Sequence, residues 1–132
     1  MRFNIFTSLQ RAFRPRKQQS SLIVTEAEVS LLTDGKETWR FRWNQITRIE
    51  TYKQDLFSVD LICLDFFVES LQLPYRINEE MQGFQELMKY MRQLFPSIDE
   101  NWHRQVTFPA FAANHKVLYE RQPANEHRDL RQ

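Results

Sequence analysis

A chain of 132 residues that is 42% hydrophobic and 14% aromatic, with eleven Phe, four Tyr and three Trp, is long enough for one domain core. Its formal net charge of +1 is unevenly spread: residues 1–20 carry +5, and the thirteen bases and seventeen acids beyond them leave −4 on the body. That acidic body argues against a dedicated nucleic-acid surface, which needs clustered Lys and Arg, and the single cysteine, Cys63, rules out an intramolecular disulfide and favours a reducing compartment.

The first twenty residues form a basic amphipathic arm. Phe3, Phe6, Leu9 and Phe13 recur at helical spacing, with Arg11, Arg14, Arg16 and Lys17 among and beyond them, and Pro15 ends any such helix. Two uses of the arm are open. Phe3, Phe6, Arg11, Phe13, Arg14, Arg16 and Lys17 suit a headgroup boundary, and would hold the protein at a membrane surface; alternatively the Phe stripe packs on the domain. No run approaches the roughly 20 apolar residues of a transmembrane helix, and no apolar block of a secretory signal is present. The expected location is the cytoplasm, at the inner face of the membrane if the arm anchors.

From Ser21 the punctuation is that of β structure. Leu22-Ile23-Val24-Thr25 predicts a first strand and Val29–Leu32 a second, around an acidic bend at Glu26-Ala27-Glu28. Asp34-Gly35 predicts a hairpin, because Gly accepts positive φ. Trp39, Phe41 and Trp43 then alternate with Arg40 and Arg42, which puts three aromatics on one face of a strand. Trp43, Ile46 and Ile49 break that alternation. Spacing of three leaves one face of a flat strand, so a bulge, corner or single helical turn is predicted there.

A strand from about Arg48 to Lys53 follows, then a turn over Asp55–Ser58. Val59–Val68 predicts a strand apolar on both faces, with Ile62, Leu64, Phe66 and Val68 on one and Val59, Leu61, Cys63, Asp65 and Phe67 on the other. The second face is either covered by the chain itself or kept for docking. Asp65 on that face needs a partner, and a nearby Arg is the expected one. Leu71, Leu73, Tyr75 and Ile77 predict a further strand, which Pro74 confines to an edge.

Asn78 is placed to cap a long helix, with Glu79 and Glu80 in its first turn. Met81, Phe84, Leu87, Met88, Met91, Leu94 and Phe95 form its apolar stripe until Pro96 stops it. Gly83 within it predicts a close approach to a strand. Ser97-x-x-Glu100 reads as the capping box of a short helix carrying Ile98 and Trp102. Val106, Phe108, Phe111, Val117, Leu118 and Tyr119 are expected to cover a sheet face. The chain thus divides into an arm (1–20), a β core with its helix (21–95), a C-terminal extension packed on that core (96–120) and a polar tail (121–132).

The chemistry-bearing motifs are missing. There is no G-x-S-x-G, no H-E-x-x-H and, with only Gly35 and Gly83, no phosphate loop. His103, His115 and His127 lie twelve residues apart and match no zinc spacing. Asp55 and Asp60 flank a turn, where carboxylates are usually solvated. No catalytic residue, cofactor or metal is therefore expected.

The order of elements, five or six antiparallel strands and then one amphipathic helix, is similar to the pleckstrin-homology-like superfold. Trp43-x-x-Ile46-x-x-Ile49, after a Val-Thr strand and an Asp-Gly hairpin, resembles bacterial pleckstrin-homology-like domains. Tyr52-Lys53-x-Asp55, Asn78-Glu79-Glu80-Met81-x-Gly83-Phe84 and Phe108-Pro109-Ala110-Phe111-Ala112-x-Asn114 look like stretches of small bacterial proteins, and the resemblance spans roughly residues 22–120. It implies an α+β fold: an antiparallel curled sheet or partly open barrel capped by one long amphipathic helix, with the extension packed on it. It also implies binding of proteins, peptides or headgroups more than catalysis. The dense Lys/Arg hairpin of phosphoinositide-binding members is absent.

The expected function is a non-enzymatic protein-binding module, of which a bacterial immunity-type inhibitor that blocks a toxin, or an adaptor, is a concrete form. Glu26, Glu28, Asp34 and Glu37 cluster at the first hairpins and, with Arg40 and Arg42, are the candidate partner-binding residues. Peripheral membrane attachment through the arm is the alternative, and an unrecognised enzyme the second.

Overall fold

The computed structural model describes residues 19–56, 59–108 and 114–123. Residues 1–18 of the arm, with the membrane-surface candidates Phe3, Phe6, Arg11, Phe13, Arg14, Arg16 and Lys17, lie outside the described residues, as do Phe111 and His127.

Three strands make the first sheet: β1 (Ser20–Val24), β2 (Glu28–Thr33) and β3 (Lys36–Arg42), in that order and antiparallel. Thr25 builds the bend between the first two, its Oγ1 accepting from the Ala27 and Glu28 amides at 3.2 and 3.1 Å. Asp34 (φ 50°) and Gly35 (φ 81°) form the two-residue hairpin that Asp-Gly predicts. Thr38 bulges out of β3, since Leu31 pairs with Trp39 and Leu32 with Glu37.

The break after Trp43 is a single 3-10 turn, Trp43–Gln45. The Arg42 amide donates to Gln45 Oε1 at 3.0 Å, and the Trp43 indole Nε1 donates to the Thr25 carbonyl at 2.8 Å. This turn carries the chain into a second antiparallel sheet of β4 (Ile46–Asp55), β5 (Asp60–Val68), β6 (Tyr75–Asn78) and β7 (Lys116–Glu120), ordered β6-β5-β4-β7. The β6 strand is a sheet edge and starts only after Pro74; Leu71 and Leu73, expected in it, lie in the preceding loop and are exposed.

Two helices follow, α1 (Phe84–Leu94) and α2 (Trp102–Thr107). The α+β, antiparallel build stands. The strands form two antiparallel sheets that do not close into a barrel, and one finer expectation changes: the long helix expected from the Asn78 cap to Pro96 is an 11-residue helix that starts only at Phe84. Local hydrogen bonding explains the shortening. Asn78 ends β6 and its Oδ1 takes the Glu80 amide at 3.0 Å, forming a turn and not a helix cap. Gln82 bridges β1, accepting from the Leu22 amide at 2.7 Å and donating to the Ser20 carbonyl at 3.4 Å. Gly83 then sits at φ +95°, where a Cβ would stand 2.6 Å from the Leu22 carbonyl oxygen. Only after it does the helix begin.

Ahead of α2, the Ser97–Glu100 box is replaced by Asp99, whose carboxylate accepts from the Asn101 amide and the Gln105 side chain, both at 2.9 Å. Those bonds hold the Asp99 carboxyl below its ordinary range, the Asn101 amide most. The last strand also departs from expectation. β7 does not cover a face; it pairs along the free side of β4, with Ile49 opposite Tyr119 and Glu50 opposite Val117.

The core lies between the sheets and under α1. Phe41 of the first sheet stacks on Phe66 of the second at 5.3 Å, and Val29, Ile49, Leu64, Ile77 and Leu87 are fully buried around them. Phe84, Leu87 and Met91 face inward from α1, while Leu94, expected in that stripe, is 42% exposed. Lys53 is buried at 5% exposure beneath α2, donating to the Thr107 carbonyl at 2.9 Å and lying 3.5 Å from Asp60. Among the described residues no helix is long and apolar enough to cross a membrane.

Candidate binding groove

Where the 3-10 turn leaves the first sheet, four parts of the chain converge without closing on one another. The Glu26-Ala27 bend, the stretch from Arg42 to Ile46, the C-terminal end of α1 and the end of β7 enclose a groove of about 500 Å³. Its lining is aromatic and aliphatic: Trp43, Ile46, Leu94, Phe95 and Tyr119. The rings form a continuous run, with Trp43 and Phe95 centred 5.9 Å apart and Phe95 and Tyr119 4.7 Å apart. Pro96 ends α1, so the chain turns and Phe95 is buried while Leu94 stands on the open wall.

The charged lining is Glu26, Arg42 and Arg121. Arg121 is fixed: its amide donates to the Thr47 carbonyl at 2.8 Å, and its guanidinium bonds to the Glu69 carboxylate and the Asn44 carbonyl. Arg42 and Glu26 are exposed and make no ion pair among the described residues.

The six candidate partner-binding residues therefore separate. Glu26 and Arg42 meet at the groove. Arg40 bridges Glu37 at 2.7 Å and Glu28 at 3.5 Å, and the Glu37 hydrogen bond with the two carboxylates raises the Arg40 pKa. Those three form one ion-paired cluster on the first sheet, with two carboxylates sharing a single guanidinium. Asp34 stays at the hairpin tip, 3.4 Å from the Gln19 amide. Trp43, expected on the aromatic face of its strand, and Phe95, expected in the helix's apolar stripe, are buried at 6% and 8% exposure, whereas Leu94, expected in that stripe, and Arg121, expected in the tail, stand beside them at the groove. The signal for the groove was present in the break at Trp43, where an aromatic run meets a corner.

The outer face of the second sheet holds a second group of ionisable side chains. Asp65, 6% exposed, accepts two bonds from the Arg76 guanidinium, at 2.9 and 3.1 Å, in the pairing that its burial demanded. Arg76 also lies over the Tyr52 ring at 5.3 Å. Burial first, and the Asp65 charge second, push the Tyr52 phenol up to about 12. Burial likewise raises the Cys63 thiol, which is 1% exposed. Glu50 meets His115 at 3.3 Å, and the Arg48 guanidinium sits 4.4 Å over the Phe67 ring.

Asp65 is engaged by Arg76, Tyr52 keeps its proton at neutral pH, and Cys63 remains a thiol and not the thiolate that a nucleophile requires. His103 is spent elsewhere, 3.3 Å from a Glu79 whose other oxygen takes the Ile62 amide. Among the described residues no three metal-ligating side chains converge. Comparison with known proteins adds no likeness: no family model matches the chain, and no curated protein or solved structure is significantly similar to it.

Proposed function

We propose that this chain is a non-enzymatic protein-binding module, built on a pleckstrin-homology-like scaffold, whose groove at the 3-10 corner receives an extended peptide segment of a partner protein. The observation that carries the reading is the aromatic groove itself. Trp43, Phe95 and Tyr119 line it beside an exposed Leu94, and arginines stand at its edges. Trp, Tyr and Arg are the residue types that dominate binding energy at protein interfaces. Six strands in two antiparallel sheets followed by an amphipathic helix support the scaffold assignment. An immunity-type inhibitor or an adaptor is the role this mode of action fits.

The test is in-cell photo-crosslinking in the native host. A photoreactive phenylalanine at Leu94, on the groove wall, should yield a discrete covalent adduct with another protein. The same group at Lys36, exposed beside the first hairpin, should not. Equal adducts from both positions, or none from Leu94, would remove the proposal.

A further inference from the structure

We draw no further inference here: the strongest candidate, the exposed pair Leu71 and Leu73 in the loop between β5 and β6, is an apolar surface patch, and nothing in the structure shows what covers it.

Discussion

Replacing Gly83 by alanine tests how the helix is joined to the first sheet. At φ +95° an L side chain is strained by about 1–2 kcal/mol. The added Cβ would also stand 2.6 Å from the Leu22 carbonyl oxygen and 3.0 Å from the Leu22 Cβ, and backbone cannot rotate away as a side-chain tip would. Relief requires β1 to move off the Gln82 bridge, weakening the Leu22-to-Gln82 and Gln82-to-Ser20 hydrogen bonds, each worth roughly 1 kcal/mol. Together these come to about 2–4 kcal/mol. Gly35 supplies the control, because it shares the positive φ but has nothing within 4 Å of its added Cβ. Gly35→Ala should therefore lose only the strain, about 1–2 kcal/mol. Urea unfolding followed by tryptophan fluorescence reads both. With a slope of about 1–3 kcal/mol per molar, Gly83→Ala should lower the midpoint by about 1–2 M and Gly35→Ala by clearly less. A Gly83→Ala variant no less stable than Gly35→Ala would refute the close approach.

The outer face of the second sheet gives two further expectations. In a spectrophotometric titration of the four tyrosines, one phenol should ionise late, near pH 12, and Tyr52→Phe should remove that step. Because the folded pKa lies above the unfolded value of 10.0, the stability contributed by the protonated phenol is complete below about pH 10 and is lost as pH rises toward 12. The unfolding free energy of the wild type should fall across that window and that of Tyr52→Phe should fall less; parallel profiles would contradict the assignment. Cys63 should react with a thiol reagent only when the chain unfolds, so a native rate matching that of a free cysteine would show that its burial is wrong.

The legible parts of the sequence were those governed by local rules. Asp34-Gly35 specified its hairpin because few residues tolerate φ near +50° and +81°, and the spacing of three from Trp43 announced the corner. The apolar second face of β5 demanded a partner for Asp65, and Arg76 is it. Long-range hydrogen bonds decided what was missed. Nothing near Asn78 reveals that Gln82 will bridge β1 and delay the helix to Phe84. Lys116–Glu120 has apolar content without clear period, and β4 supplied an open side for it to pair with. The groove was harder still: Glu26, Arg42, Leu94 and Tyr119 are far apart in the chain, and only the corner at Trp43 brings them together.

Hydrogen–deuterium exchange of the chain alone and in complex with the protein cross-linked from position 94 measures directly which surface the partner occupies. Protection gained at residues 26–27, 42–46, 94–95 and 119–121, with little change at Tyr52 and Arg76, is the expected pattern. Protection gained on the outer face around Arg48, Tyr52 and Arg76, with the groove left unchanged, would contradict it.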